Sequence, residues 1–320
     1  MRTNTLKAPG ATLYYEVRGE GPVLLLICGG VYDAAGYAGL AGRLAERYTV
    51  VTYDRRGNGR SPLDGAPEHQ SVEVHGDDAG RVLTAVGVTA ERPAHVFGNS
   101  SGAEIGLELA TRHPELVRTL VAHEPPVFDL LPDRDHWRAV VDQVEKVFTE
   151  EGVEAAGQAL SSAMGMGGGE PSEENGADGA DGADGAQRVD GGGADGPKGA
   201  SGGHAAGEGD AAATHGPEGG MDAGMAEMME RMGRNFAFFI GYEVPGFSRY
   251  TVDVAALRAS GVRVVPAVGE ASQGEPPYRA TIALAELLGA EPVAFPGDHG
   301  GFGSQHVAFA TRLDQVLSAS

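Results

Sequence analysis

Apolar and polar positions along the first hundred residues alternate between two periods. Thr12 to Val17 and Val23 to Ile27 read as strands, split by the turn Arg18-Gly19-Glu20-Gly21-Pro22. Tyr37 to Tyr48 carries a helical pattern and Thr49 to Tyr53 a third strand. A turn-rich stretch, Asp54 to Pro62, and a helix near Val74 to Val86 follow. Ala94 to Phe97 is again strand-like. Beyond a helix containing Ile105, Leu107 and Leu109, the run Val117 to Ala122 repeats the strand signal. Strands alternating with helices predict an α/β protein, its sheet mostly parallel and doubly wound with helices on both faces.

The alternation then pauses. Trp137, Val140, Val141, Val144, Val147 and Phe148 share one helical face, as do Met225, Met228, Met229, Met232 and Phe236. The sheet signal resumes at Val262 to Val268, with a helix at Tyr278 to Leu288, a strand at Pro292 to Phe295 and a closing helix at His306 to Leu317. This predicts a core in two parts, 1–126 and 251–320, with a helical lid at 127–250. Within the lid, residues 165–220 hold repeated Gly-Ala-Asp units and no Leu, Ile, Phe, Tyr or Trp. Such a low-complexity insert cannot bury enough apolar surface to offset its chain entropy, and disorder is expected there.

The formal net charge of −21 argues against nucleic acid and anionic membranes, which attract Lys and Arg. Eleven acidic against two basic residues place −9 of that charge in the insert. The longest apolar run, Val23 to Cys28, is too short to span a bilayer. Met1 to Gly10 contains no signal-peptide h-region, and one cysteine, Cys28, permits no internal disulfide. A cytoplasmic protein is expected. Its oligomeric state is not legible.

Parallel sheets place their chemistry at the carboxyl ends of the strands. There lies Gly98-Asn99-Ser100-Ser101-Gly102, a strand, a sharp turn and a helix with serine at the apex. With 51 glycines in 320 residues, G-x-S-x-G arises readily by chance, so context must decide. Gly199-Ala200-Ser201-Gly202-Gly203 fits too, but has neither strand nor helix beside it. Ser100 is therefore the predicted nucleophile. Its base is predicted to be His299, in the glycine-rich turn after the last strand. Two strand-end carboxylates, Glu124 and Glu270, could orient that imidazole, with Asp298 a poorer third because neighbouring loop side chains diverge. Pro125 and Pro126 stiffen the backbone after Glu124, which favours it. An oxyanion hole would draw one N–H from Ser101 and one from Gly30 or Val31, in the loop Cys28 to Asp33. Cys28 reads as a small buried residue. Tyr32, Trp137, Met225 and Met229 are candidates for lining a substrate pocket.

With these residues in the order Ser, acid, His, the chain resembles the α/β-hydrolase superfamily with a lid. The stretches Gly98 to Gly102 and Ala122-His123-Glu124-Pro125-Pro126, with Met1-Arg2-Thr3 and Tyr14-Tyr15-Glu16, are similar to fungal zearalenone lactonases. That resemblance implies Glu124 as the triad acid. Two positions depart from the superfamily pattern. Cys28 or Gly29 stands where the oxyanion loop usually begins with His, and Ser272 occupies the usual acid position.

The expected function is hydrolysis of a carboxylic ester or lactone of an apolar small molecule, with no cofactor and no metal. C–C bond hydrolysis or acyl transfer would use the same residues, and a ligand-binding protein of this fold is the non-enzymatic alternative. Dehalogenase or epoxide hydrolase chemistry needs a carboxylate at the elbow. Gly57-Asn58-Gly59 is not a dinucleotide fingerprint, because Ser61 and Pro62 follow it.

Overall fold

The computed structural model describes residues 1–164 and 223–319. Among them, eight strands form one sheet: β1 (Arg2–Ala8), β2 (Ala11–Arg18), β3 (Val23–Ile27), β4 (Thr49–Tyr53), β5 (Ala94–Asn99), β6 (Val117–His123), β7 (Arg263–Gly269) and β8 (Val293–Phe295). Their order is β1-β2-β4-β3-β5-β6-β7-β8, antiparallel through β1, β2 and β4 and parallel from β4 to β8. This is the mostly parallel, doubly wound sheet with helices on both faces that the sequence predicts.

Strand period explains the layering. In β3, Leu25 and Ile27 join one core while Leu24 and Leu26 join the other, and all four have no exposed surface. The first core is completed by α2 (Val72–Ala85), α3 (Ser101–Arg112), α8 (Val254–Ala259) and α9 (Pro276–Leu288). The second is covered by α1 (Ala38–Leu44) and α11 (His306–Ser318), with Phe302 of the short α10 (Gly301–Ser304). Central parallel strands buried on both faces read as unbroken apolar runs. Those were the easy strands to predict. β1 carries no such signal: its only large apolar side chain is Leu6, and it lies mostly exposed at the sheet edge.

Between β6 and β7 the chain makes a helical excursion. It comprises α4 (Arg134–Glu151), α5 (Val153–Ala163), α6 (Ala223–Phe238), a π-helical turn (Phe239–Glu243) and α7 (Val244–Phe247). Val144, Val147, Ala156, Ile240 and Val244 form its own small core. Trp137 does not line a pocket. It is 5% exposed and stacks on Phe128 at 4.4 Å between ring centroids, within the first sheet core. Met229 projects outward, 54% exposed, and the side chain of Met225 lies outside the described residues. The disorder expected for 165–220, and Ser201 with it, also lies outside them.

Sheet topology directs attention to one point. From β3 the chain moves outward to β4, then returns to lay β5 on the opposite flank of β3. Ligand crevices form at such reversals, beyond the carboxyl ends of the strands. The loops after β3 and β5 meet there. A Cβ on Gly29 would lie 2.3 Å from the Asn99 carbonyl oxygen, and one on Gly102 would lie 2.2 Å from that of Ile27.

Gly102→Ala should therefore destabilise the protein by at least ~2 kcal/mol, because backbone must move. Gly42→Ala on α1, where a Cβ meets nothing within 4 Å, should be neutral or add about 0.5–1 kcal/mol. Urea unfolding of the two variants checks the contrast.

Candidate active site

Ser100 sits between β5 and α3 with φ 55° and ψ −130°. Among the described residues only two non-glycine positions adopt positive φ, and the other is Glu124 at 48°. Backbone strain of this kind persists only where the surroundings enforce it, and it clusters at functional sites. At the elbow the enforcement is steric. A Cβ on Gly98 would lie 2.3 Å from the Gly102 carbonyl oxygen, so only glycine fits beneath the serine.

At the end of β6 the left-handed backbone swings Glu124 across β7. Its amide donates to the Ala267 carbonyl at 3.0 Å, and its Oε1 accepts from the Gly269 amide at 2.8 Å. Its Oε2 meets Nδ1 of His299, beyond β8, at 2.6 Å. Burial pushes this carboxyl up, but the hydrogen bonds from His299 and from the Gly269 amide leave it below its ordinary value. The carboxylate is thus the acceptor and Nδ1 carries the proton, leaving the Nε2 lone pair without a hydrogen-bond partner among the described residues. Glu270, the alternative acid, is exposed at the end of β7 and does not meet His299.

Asn99, directly before Ser100, ties the two sides together. Its Nδ2 donates to the His299 carbonyl and to Nδ1 of His123, each at 3.0 Å. His123 is fully buried and lowered to about 4, chiefly by desolvation, so its ring is neutral and accepts at Nδ1. No motif in the sequence marks this asparagine. Ser100 Oγ and His299 form no hydrogen bond among the described residues. Catalytic contacts of this kind often close only around substrate.

The loop after β3 supplies N–H groups. Ser101 Oγ accepts from the Gly30 amide at 2.9 Å, while the Val31 amide has no acceptor among the described residues. Gly30 has φ 51°, and a Cβ there would meet nothing within 4 Å, so the loop borders open space. Tyr32 is 40% exposed and packs edge-on against Phe302, three residues beyond His299. Cys28 is buried with its thiol pushed up by desolvation, and its Sγ donates to the Asp33 carbonyl at 3.0 Å. That is the inert packing role expected of it.

The profile of the alpha/beta hydrolase fold family matches residues 22–172. YraK of Bacillus subtilis, described as an uncharacterized hydrolase, is 34% identical over 323 residues, covering 99% of this chain and 96% of its own. The chain belongs to the α/β-hydrolase family. Among solved structures, a thermophilic esterase from Thermogutta terrifontis matches with a TM-score of 0.62 at 15% identity, covering 100% of this chain and 99% of the esterase. The enol-lactonase from Burkholderia xenovorans LB400 matches with a TM-score of 0.56 at 17% identity, covering 98% of this chain and 100% of the lactonase. At these identities the likeness is one of fold. Among the described residues of this hydrolase, no helix is long and apolar enough to cross a membrane.

Two predictions follow from the buried groups. Because His123 falls from 6.5 to about 4 on folding, the unfolded chain takes up its proton first as pH drops. Its contribution is intact above pH 6.5 and is lost towards pH 4, amounting to about 2 kcal/mol at pH 5. The lowered Glu124 adds loss in the same direction at still lower pH. Buried His75 and His95 are lowered in the same way, and buried Glu104, raised by desolvation, works in the opposite direction. The test is therefore a comparison: the urea midpoint of wild type should fall more between pH 7 and pH 5 than that of His123→Asn, and equal falls would contradict it. Asn99→Ala, which unties His299 from the elbow, should lower kcat on an accepted substrate roughly 10- to 100-fold.

Proposed function

We propose that this hydrolase cleaves a carboxylic ester or lactone of an apolar small molecule through an acyl-enzyme on Ser100. The observation that carries the reading is the meeting of Glu124 with His299 at 2.6 Å, with Asn99 joining the His299 loop to the residue before Ser100. Ser100 attacks the carbonyl carbon as His299 Nε2 takes its proton. Collapse of the tetrahedral species expels the alkoxide, which receives that proton. Water, deprotonated in the same way, then attacks the acyl-enzyme and releases the acid. Glu124 fixes the imidazole tautomer and balances its transient charge.

The oxyanion is met by the Ser101 N–H and by amides of the loop after β3. Of the two candidates there, the Val31 amide has no acceptor among the described residues and the Gly30 amide is engaged by the Ser101 hydroxyl. Tyr32 offers an exposed aromatic face between that loop and the His299 turn, suited to an apolar substrate. The esterase and the enol-lactonase of the same fold are compatible with this substrate class.

A fluorophosphonate should add one adduct mass to the wild-type protein and none to Ser100→Ala. On an aryl ester, Glu124→Gln should lower kcat by roughly 10²- to 10⁴-fold, and Glu270→Gln should leave it unchanged. An unlabelled wild type, or a loss confined to Glu270→Gln, would falsify this reading.

A further inference from the structure

The loop from Cys28 to Asp33 has almost no secondary structure to hold it, yet every one of its carbonyls is occupied. Arg55, just past the end of β4, supplies the partners of three of the six. Its Nη1 donates to the Cys28 carbonyl at 2.5 Å and to that of Tyr32 at 3.4 Å, and its Nη2 donates to that of Gly30 at 2.7 Å. The Gly29 carbonyl accepts from the Tyr32 amide, and Asn235 of α6 donates to the Val31 carbonyl at 3.1 Å. The Asp33 carbonyl accepts from the Gly36 amide at 2.9 Å.

The remaining donors of Arg55 go to Glu243, on the π-helical turn of the helical excursion. Nε meets its Oε1 at 3.2 Å and Nη2 its Oε2 at 2.8 Å, with both side chains fully buried. Asn58 adds a further donor to Oε1 at 2.8 Å. All five N–H groups of the guanidinium are thereby used. His75, 4.0 Å from Glu243, is buried and held neutral, so the carboxylate answers one cation.

A trans peptide sets its C=O and N–H on opposite sides. Strand order puts Arg55, at the end of β4, on one flank of β3 and the elbow, at the end of β5, on the other. Drawing the Gly30 carbonyl towards Arg55 therefore turns the Val31 amide towards Ser100. We propose that Arg55 is a positioning residue that aims this loop's amides at the reaction centre, and that Glu243 makes its grip depend on the seated helical excursion. The proposal rests on the hydrolase reading above. A lysine cannot substitute, because a point charge with three donors cannot hold three carbonyls and a bidentate carboxylate together.

The test compares wild type, Arg55→Lys, Glu243→Gln and the double variant. Each is first confirmed folded by its melting curve, and the isosteric Glu243→Gln decides if Arg55→Lys is unfolded. Measured quantities are kcat and KM on an aryl ester, the pH profile of kcat/KM, and inhibition by an aryl trifluoromethyl ketone. That ketone adds Ser100 to form a tetrahedral oxyanion. Expected for Arg55→Lys is a fall in kcat of roughly 10- to 100-fold with KM little changed. Ketone affinity should weaken in parallel, and the acid limb of the pH profile should not move. Glu243→Gln should show a smaller loss of the same form, and the double variant should be no worse than Arg55→Lys. Folded variants with unchanged kcat and ketone affinity, a loss confined to KM, or strictly additive losses would each overturn the positioning role. A wild type that forms no Ser100 adduct overturns the hydrolase reading itself.

Discussion

The carboxylate of Glu124 reaches His299 because the backbone leaves β6 in a left-handed turn. Without that turn the side chain would continue the strand alternation and remain in the sheet. With it, one oxygen is fixed by the Gly269 amide at the end of β7 and the other is presented to the imidazole beyond β8. A single strained residue thus spans the ends of three adjacent strands. The cost of burying its charge is offset by these fixed donors, which is why the carboxyl stays ionised inside the protein.

The loop after β3, on the other side of the elbow, is held on another principle. It has glycines where it touches the elbow, so its own conformational preferences are weak. Its shape is imposed from outside by a buried guanidinium and by polar side chains of the helical excursion. Buried ion pairs contribute little net stability compared with apolar packing, so geometric specificity is the better account of why a chain would retain Arg55 and Glu243. Arg231, joined to Asp33 at 3.0 Å, and Asn235, which also accepts from the Gly59 amide at 2.7 Å, tie α6 to the same region. The excursion and the loop are one polar network.

Periodicity made the central strands legible because burial on both faces writes itself as continuous apolar sequence. The edge strand β1 carries no such imprint and was missed. Ser100 was legible because close backbone approach demands glycine at 98 and 102, a requirement that leaves a spacing in the sequence. For the carboxylate beside the imidazole the sequence favours Glu124, through Pro125 and Pro126, and keeps Glu270 as the alternative, since both end neighbouring strands and φ is invisible in sequence. Trp137 shows the converse error: a large aromatic in a helical stripe was given to a pocket, but stacking on Phe128 claims it for the core.

By itself, the sequence determined the alternating layers, the elbow and the set of strand-end groups from which a site could be assembled. Those follow from local rules, namely the period of apolar residues and the small residues that tight turns require. Tertiary structure alone decided which carboxylate meets the imidazole, that Asn99 ties the His299 turn to the elbow, and that Arg55 holds the loop after β3. These depend on which strands lie side by side and on contacts between residues as distant as Arg55 and Glu243. No spacing along the chain encodes such a pairing, because strand order is set by how the whole sheet closes its two cores.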